Sequence, residues 1–246
     1  MSYGSALFHV GGQNTCPRTF RALPGEELSS SDEVEAGQRV YTPLVLWGYD
    51  LLVLGFSNRF VWRCRSSTML ERYNAYVGER HLDVGVGTGW FLDHCTWPVE
   101  TPQITLLDLN ENSLSVASKR IRRYAPATIQ ANVLDPVDLG DVRFDSIGVN
   151  YLFHCLPGEL ESKAATVATS LRPYLASDGA LFGSTILGRG VRHNLLGRRL
   201  MRLYNRKGIF SNLEDDQRGL ERGLSSKLTG VEVDVVGAVA LFAGRQ

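Results

Sequence analysis

The stretch at residues 81–89, which reads HLDVGVGTG, most constrains the fold of this chain. A short run that contains the acidic residue Asp83 leads into glycine at every second position, at Gly85, Gly87 and Gly89. Because glycine has no Cβ and tolerates positive φ, such a turn lets the backbone come very close to a ligand. The apolar residues that follow can open a helix. The stretch therefore predicts a strand, a tight turn and a helix.

The same alternation of strand and helix continues along the chain. Two adjacent strands near its end, at 231–236 and 238–243, flank Gly237 and predict a hairpin whose last strand is antiparallel to the rest. Repeated βα units predict a mostly parallel sheet with right-handed crossovers. The other predicted strands lie at 103–107, 127–131, 144–149 and 179–187, and the predicted helices at 90–95, at 111–124 and within 157–175.

The residues before this alternation have a different pattern. Residues 1–30 carry adjacent glycines and a serine run, which is typical of a loosely ordered arm. Residues 31–77 are predicted to form a helical cap rich in aromatic residues, whose last helix is expected over 59–77 and is ended by Gly78. The predicted α/β domain extends over 78–246 and has a substrate-covering helical insertion at about 188–228.

Charge and cysteine usage narrow the class of protein. Lys+Arg and Asp+Glu both number 26, whereas a nucleic-acid enzyme more often carries a basic surplus. The four cysteines form no CxxC pair, which indicates neither a metal site nor a disulfide framework. The sequence shows no signal peptide, and its apolar stretches are too interrupted to span a membrane. We therefore expect a cytoplasmic protein with no metal and no nucleic-acid partner.

The spacing of the glycines distinguishes two kinds of cofactor. The dinucleotide fingerprint G-x-G-x-x-G places a pyrophosphate on a helix N-terminus, whereas this chain has D-x-G-x-G-x-G. A carboxylate at that position would repel a pyrophosphate and suits a cationic ligand. The motif resembles motif I of the class I S-adenosylmethionine-dependent methyltransferases, and the terminal hairpin is similar to the end of their sheet. A plain glycine-rich turn in another α/β domain is the alternative.

This resemblance covers roughly the last two-thirds of the chain and implies the fold and the cofactor. It implies a seven-stranded, mostly parallel sheet with an antiparallel last strand, helices on both faces and a helical N-terminal cap. It also implies S-adenosylmethionine as the cofactor, with the glycine loop beneath it and Asp83 near its methionine end. Asp108 ends the second strand, and its carboxylate can accept both ribose hydroxyls, with Leu109 beside it.

Other cofactor contacts are predicted on the next strands and in the cap. The resemblance implies that Asn132 reaches the adenine amino group and that the backbone N–H of Val133 meets a ring nitrogen. Alternatively, Asn132 is merely a turn former. Asn150, where the fourth strand ends, is a further predicted contact, and Tyr41 of the cap is predicted to lie near the sulfonium, where an aromatic face is favourable.

The segment after the fourth strand is expected to lie beside the reacting methyl group. Nucleic-acid amino-methylating enzymes carry N/D-P-P-Y/F here, but this chain has Tyr151-Leu152 in place of the prolines, which argues against a nucleic-acid base as acceptor. His154 is a candidate general base because the usual pKa of histidine suits proton removal near neutral pH. Alternatively, His154 only packs the loop. Tyr151 is the second catalytic candidate.

Residues 190–212 are predicted to cover the acceptor, with His193, Tyr204 and Phe210 facing it. The function indicated is methyl transfer from S-adenosylmethionine to an O, C or N atom of a small, hydrophobic metabolite of secondary metabolism. One alternative is a cyclase or pericyclase of the same fold that binds the cofactor without transferring methyl, and another is a non-catalytic partner subunit. A homodimer is a further prediction.

Overall fold

The computed structural model describes residues 50–246, with side chains described from Phe56 onward. The predicted arm, the first part of the predicted cap (residues 31–49) and Tyr41 therefore lie outside the described residues. None of the helices within 50–246 is long and apolar enough to cross a bilayer.

Seven strands form one sheet, in the order β3-β2-β1-β4-β5-β7-β6. Strands β1 to β5 are parallel to one another, and β7 lies antiparallel between β5 and β6. The predicted parallel sheet with an antiparallel last strand is confirmed. The strands are β1 (Arg80–Val84), β2 (Gln103–Asp108), β3 (Ala127–Gln130), β4 (Phe144–Asn150), β5 (Leu175–Ile186), β6 (Thr229–Val236) and β7 (Val239–Arg245).

Six α-helices follow in the described part of the chain, after a π-helical segment at Asp50–Val61. Short 3₁₀ turns lie at Arg122–Tyr124, Phe153–Cys155 and Arg172–Tyr174. The helices are α1 (Ser66–Tyr76), α2 (Trp90–His94), α3 (Glu111–Arg120), α4 (Leu160–Leu171), α5 (Leu195–Arg206) and α6 (Gln217–Ser225).

Helices cover both faces of the sheet, and the interior strands are largely buried on both sides. Leu106 of β2 and Phe182 of β5 pack on one face against Tyr73 of α1 and Ala117 of α3. Leu82, Val149 and Phe242 belong to the core of the other face, which α4 and α6 cover. Residues 188–228, predicted to cover the substrate, thus form two helices in different places, since α6 packs on α4 and Met201 of α5 packs near Trp62.

The predicted continuous helix over 59–77 is wrong in one respect. The helix is interrupted between Val61, where the π-helical segment ends, and Ser66, where α1 begins. Arg63 there has a φ of 59°. The cause is the β6–β7 turn, in which the N–H of Ala238 donates to the carbonyl oxygen of Trp62 at 2.7 Å. This bond ties residues 62–63 to the β6–β7 turn, and the positive φ of Arg63 ends the helical path there.

We expect the replacement Gly237→Ala to destabilise the protein more than Gly230→Ala. Both glycines have positive φ, at 63° and 56°, so either alanine costs about 1–2 kcal/mol of backbone strain. A Cβ at Gly237 would also lie 2.3 Å from the Trp62 oxygen, whereas no atom in the described part of the chain lies within 4 Å of one at Gly230. The clash adds about 1–3 kcal/mol. Denaturant unfolding measures both variants, and equal losses would contradict the packing of this turn on residues 62–63.

Candidate functional site

The carboxyl ends of the five parallel strands meet at one edge of the sheet, and the glycine loop lies there after β1. Gly85, Gly87 and Gly89 have φ values of 72°, 53° and 71°, a region that residues with a Cβ rarely adopt. Gly89 is the N-cap of α2, so the predicted strand, turn and helix are confirmed. No atom of the described residues would lie within 4 Å of a Cβ at Gly87, so residues 50–246 leave space on that side of the loop.

Asp108 is held against this loop at the end of β2. Its Oδ1 accepts the backbone N–H of Asn110 at 2.8 Å. Burial raises the pKa of Asp108 to about 6, although hydrogen bonds from the backbone N–H groups of Asn110, Gly87 and Val86 oppose the rise. The backbone hydrogen bonds therefore offset only part of the cost of removing this carboxylate from water. Two hydroxyl donors of a ribose would complete its hydrogen bonding.

The residues after β3 form a defined turn. The side-chain oxygen of Asn132 accepts the N–H of Leu134 at 3.1 Å, so the predicted turn-forming role is present. An amide oxygen has two lone pairs, and an adenine amino group can still donate to the second one. Val133 is buried, and Leu109 accepts Gln130 Nε2 at its carbonyl oxygen.

Asn150 ends β4 with an unmatched donor. Its side-chain oxygen accepts the hydroxyl of Ser184 at 3.0 Å. Its Nδ2 is buried, and no hydrogen-bond acceptor for it exists among the described residues. Since a buried amide N–H without a partner is costly, this group is suited to a ligand oxygen. Open space at Gly87, an incompletely bonded Asp108 and this amide together fit a bound nucleoside that carries polar substituents.

The five residues predicted to act on or contact the acceptor form one connected group of rings, together with Trp62. The ring of Phe210 lies 4.5 Å from that of His154 and 4.9 Å from that of Tyr204, between centroids. The rings of Tyr151 and His154 are 5.3 Å apart. Trp62 extends the group, at 6.2 Å from both Phe210 and His193. We call these six residues, Trp62, Tyr151, His154, His193, Tyr204 and Phe210, the aromatic wall.

His154 is neutral and almost completely enclosed. It is 2% exposed, and its Nδ1 lies 3.4 Å from both the backbone nitrogen of Ile186 and the hydroxyl of Thr185. Burial, with a smaller contribution from the charge of Lys163, lowers the pKa of His154 to about 3. Such an imidazole is a weak base at neutral pH, which favours the packing role over general base catalysis.

Tyr151 is held by its neighbours in an uncommon backbone conformation. Its φ is 55°, and its N–H donates to the carbonyl oxygen of Ser184 at 2.8 Å. Its hydroxyl donates to Oδ1 of the buried Asn58 at 2.7 Å. A non-glycine residue in this region persists only where its surroundings fix it, and such residues cluster at functional sites. Asn58 carries no sequence signal, since it is an isolated amide in a helical pattern.

A buried ion pair, Lys163 with Asp215, stabilises the segment that contributes Phe210 to the aromatic wall. Lys163 of α4 lies 2.8 Å from Asp215, and both side chains are at most 3% exposed. The ammonium also donates to the carbonyl oxygens of Leu156 and Ser211, at 3.1 and 2.7 Å. Because the N–H of Ser211 donates to the His154 carbonyl oxygen, the pair fixes the segment that carries Phe210. The sequence analysis did not predict this ion pair, because both residues resemble ordinary surface charges.

His193 is the polar member of the wall that lacks partners. Both of its ring nitrogens are buried, and neither has a hydrogen-bond partner in the described part of the chain. Each neutral imidazole has one donor and one acceptor, so a ligand with a hydroxyl or carbonyl group would satisfy it.

Comparisons with known proteins agree with this geometry. A family model described as a methyltransferase domain matches residues 82–181. The methyltransferase aurB of Calcarisporium arbuscula is 38% identical over 226 residues, which cover 85% of this chain and 96% of that protein. Demethylluteothin O-methyltransferase of Streptomyces thioluteus is 37% identical over 213 residues, covering 85% and 91%. The structure of the DhpI–SAH complex matches with a TM-score of 0.63 at 17% identity, covering 89% and 98%.

We expect Lys163→Met to destabilise the protein by about 3–5 kcal/mol, because it leaves the Asp215 carboxylate buried and unpaired. The exposed pair of Arg222 with Glu161, at 2.7 Å, provides a matched control, and Arg222→Met should cost less than about 1 kcal/mol. Denaturant unfolding measures both. A loss at Lys163 no larger than that at Arg222 would show that the buried pair does not hold the wall.

Proposed function

The chain belongs to the class I S-adenosylmethionine-dependent methyltransferases, and on that premise we propose that its acceptor is an acidic hydroxyl, phenolic or enolic, of a small hydrophobic metabolite. The observation that carries this proposal is the aromatic wall, which combines apolar rings with the unpartnered nitrogens of His193. Such a surface suits a flat, largely apolar molecule with few polar groups. The similarity to an enzyme named as an O-methyltransferase supports oxygen as the acceptor atom.

The choice of an acidic hydroxyl rests on the state of His154. Transfer joins the acceptor oxygen to the methyl carbon, breaks the carbon–sulfur bond and releases the hydroxyl proton. With its pKa lowered to about 3, His154 is poorly suited to remove that proton before attack. A phenol or enol ionises far more readily than an aliphatic alcohol and needs less help. The contribution assigned to the wall is orientation, since holding the oxygen in line with the methyl carbon lowers the barrier.

The cofactor residues are assigned by their chemistry. When bound, S-adenosylmethionine supplies a methyl group on a positively charged sulfur, activated for displacement. Asp108 is proposed to accept the ribose hydroxyls, with Leu109 beside it and Asn132 and Val133 at the adenine. Asn150 would donate its unmatched Nδ2 hydrogen to the cofactor, and the glycine loop would pass beneath it. The cytoplasmic location, the homodimer and the exclusion of nucleic acid stay predictions.

We expect affinity for S-adenosylhomocysteine to fall as the pH drops below about 6. The pKa of Asp108 is about 6 in the free protein, and hydroxyl donors would lower it in the complex. Above that pH the Asp108 carboxyl is already ionised, so it releases no proton when the ligand binds. Below it one proton must leave, so affinity declines by up to about tenfold per pH unit.

Calorimetric titration between pH 5 and 8 measures this dependence, and Asp108→Asn is the matched variant. It should bind at least about tenfold more weakly at pH 8, because it loses a charged acceptor, and its affinity should not change near pH 6. A wild-type affinity that is constant over this range would contradict the ribose assignment.

We expect the protein to transfer labelled methyl from S-adenosylmethionine to phenols and enols, and to leave matched anilines and aliphatic alcohols unlabelled. Product radioactivity and release of S-adenosylhomocysteine measure the reaction. Converted substrate without label would favour the cyclase alternative, and labelled anilines would overturn the choice of oxygen.

The wall is tested in the same assay with Phe210→Ala. Loss of this ring removes apolar contact worth roughly 1.5–3 kcal/mol, so the acceptor KM should rise about tenfold or more while the cofactor KM is unchanged. Phe56→Ala, which removes a half-exposed ring outside the wall, is the control and should change neither KM. An unchanged acceptor KM in Phe210→Ala would remove the wall from the site.

A further inference from the structure

A continuous chain of buried hydrogen bonds runs from the start of β1 to Asp83. The N–H of Gly78 donates to the hydroxyl oxygen of Ser146 at 2.8 Å, and that oxygen lies 2.7 Å from His81 Nδ1. His81 Nε2 lies 2.8 Å from the hydroxyl of Tyr73. The same hydroxyl donates to Asp83 Oδ2 at 2.7 Å. The side chains of Ser146, His81 and Tyr73 are all buried, and Asp83 is 5% exposed.

The hydrogen count gives this chain a direction. Tyr73 has one hydroxyl hydrogen and uses it on the carboxylate, so its oxygen accepts from His81 Nε2–H. His81 Nδ1 then has a free lone pair, which accepts the hydroxyl hydrogen of Ser146, while Ser146 accepts from Gly78. Each donor along the path thus has an acceptor, and the path ends on a carboxylate oxygen. A fully satisfied buried network of this kind rigidifies its members.

Packing fixes the network beside the glycine loop. Tyr73 stacks on Phe91, in the helix that the loop opens, with centroids 5.6 Å apart and an interplanar angle of 5°. Phe182 meets the Tyr73 ring edge-on at 5.1 Å. On β4, a Cβ at Gly148 would lie 3.1 Å from the His81 ring. The absence of a side chain at Gly148 therefore provides the space in which the imidazole lies. The hydroxyl of Tyr73 therefore has little freedom to move away from Asp83.

Asp83 itself is incompletely compensated. Among residues 56–246, Tyr73 is the hydrogen-bond donor to Oδ2, no group donates to Oδ1, and no Lys or Arg side chain pairs with the carboxylate. A buried carboxylate with one neutral donor calls for a cation. The methionine end of the cofactor carries an ammonium group, which can meet the remaining oxygen.

We propose that Tyr73 and His81 are positioning residues that orient the Asp83 carboxylate toward the cofactor's ammonium group. The proposal rests on the placement of Asp83 at the methionine end of the cofactor. Beyond that placement, three buried side chains, Tyr73, His81 and Ser146, are proposed to make the site prefer ligands that have an amino-acid end over ligands that lack one. Tyr73 holds Oδ2, and Oδ1 is left for the ligand.

The test compares two ligands that share the adenosine and the thioether. S-adenosylhomocysteine has the amino-acid end, and 5′-methylthioadenosine lacks it. We expect Tyr73→Phe to weaken S-adenosylhomocysteine by about tenfold or more, because it removes a hydrogen bond to a charged group, and to change the 5′-methylthioadenosine affinity less than about twofold. Calorimetry measures both dissociation constants, and thermal unfolding monitors the fold.

Tyr76→Phe is the matched control. Tyr76 lies one turn further along α1 and also stacks near Phe182, at 5.8 Å, but its hydroxyl reaches the exposed Glu232 at 3.4 Å. Neither affinity should change in this variant. Ser146→Ala interrupts the same chain two bonds further from Asp83 and should weaken S-adenosylhomocysteine alone, so it answers the question if Tyr73→Phe does not fold.

Each other outcome overturns a defined part of the proposal. Equal weakening of both ligands in Tyr73→Phe would mean that the network is only structural, and an unchanged S-adenosylhomocysteine affinity would mean that Tyr73 does not position Asp83. Wild-type protein that binds both ligands equally would remove Asp83 from the methionine end. Wild-type protein that binds neither would instead overturn the proposed cofactor site, which is a different failure.

Discussion

Taking a carboxylate out of water is costly unless hydrogen bonds or a cation meet it, and this chain does so at the ends of two adjacent strands, where Asp83 is buried and Asp108 half-buried. Asp83 is met by the hydroxyl of Tyr73, and Asp108 by backbone N–H groups of the glycine loop and its own turn. Neither supply is complete. Both carboxylates therefore keep hydrogen-bonding capacity at this edge of the sheet, and a ligand with both hydroxyl and ammonium groups suits them.

Local patterns were enough to predict the parts of the fold that depend on local physics. Glycines at 85, 87 and 89 predicted the turn because positive φ is a property of single residues, and the Gly237 hairpin predicted the antiparallel last strand. The break after Val61 was missed because its cause, the N–H of Ala238, is far away in the sequence. His81 and Asp83 alternate along one strand and so share a face, but only the fold brings Tyr73 to them.

The acceptor side was predicted as separate residues, and the structure relates them through Phe210. The sequence placed Tyr151 and His154 after β4 and Tyr204 and Phe210 near α5, without a reason for them to meet. The Lys163–Asp215 pair supplies that reason, because it fixes the segment after α5 against the 3₁₀ turn that contains His154. Its residues look like surface charges, since no pattern in one sequence marks a lysine as buried.

The placement of β7 between β5 and β6 has a consequence for biosynthesis. During synthesis β7 is made after every other strand of this sheet, yet it occupies an interior position and is buried over most of its length. Until it emerges from the ribosome, β5 has an open edge and β6 has no partner. The hydrogen bond from the Ala238 N–H to the Trp62 carbonyl oxygen also cannot form before that point. A nascent chain can therefore complete the cofactor edge formed by β1 and β2 before it can complete the acceptor side.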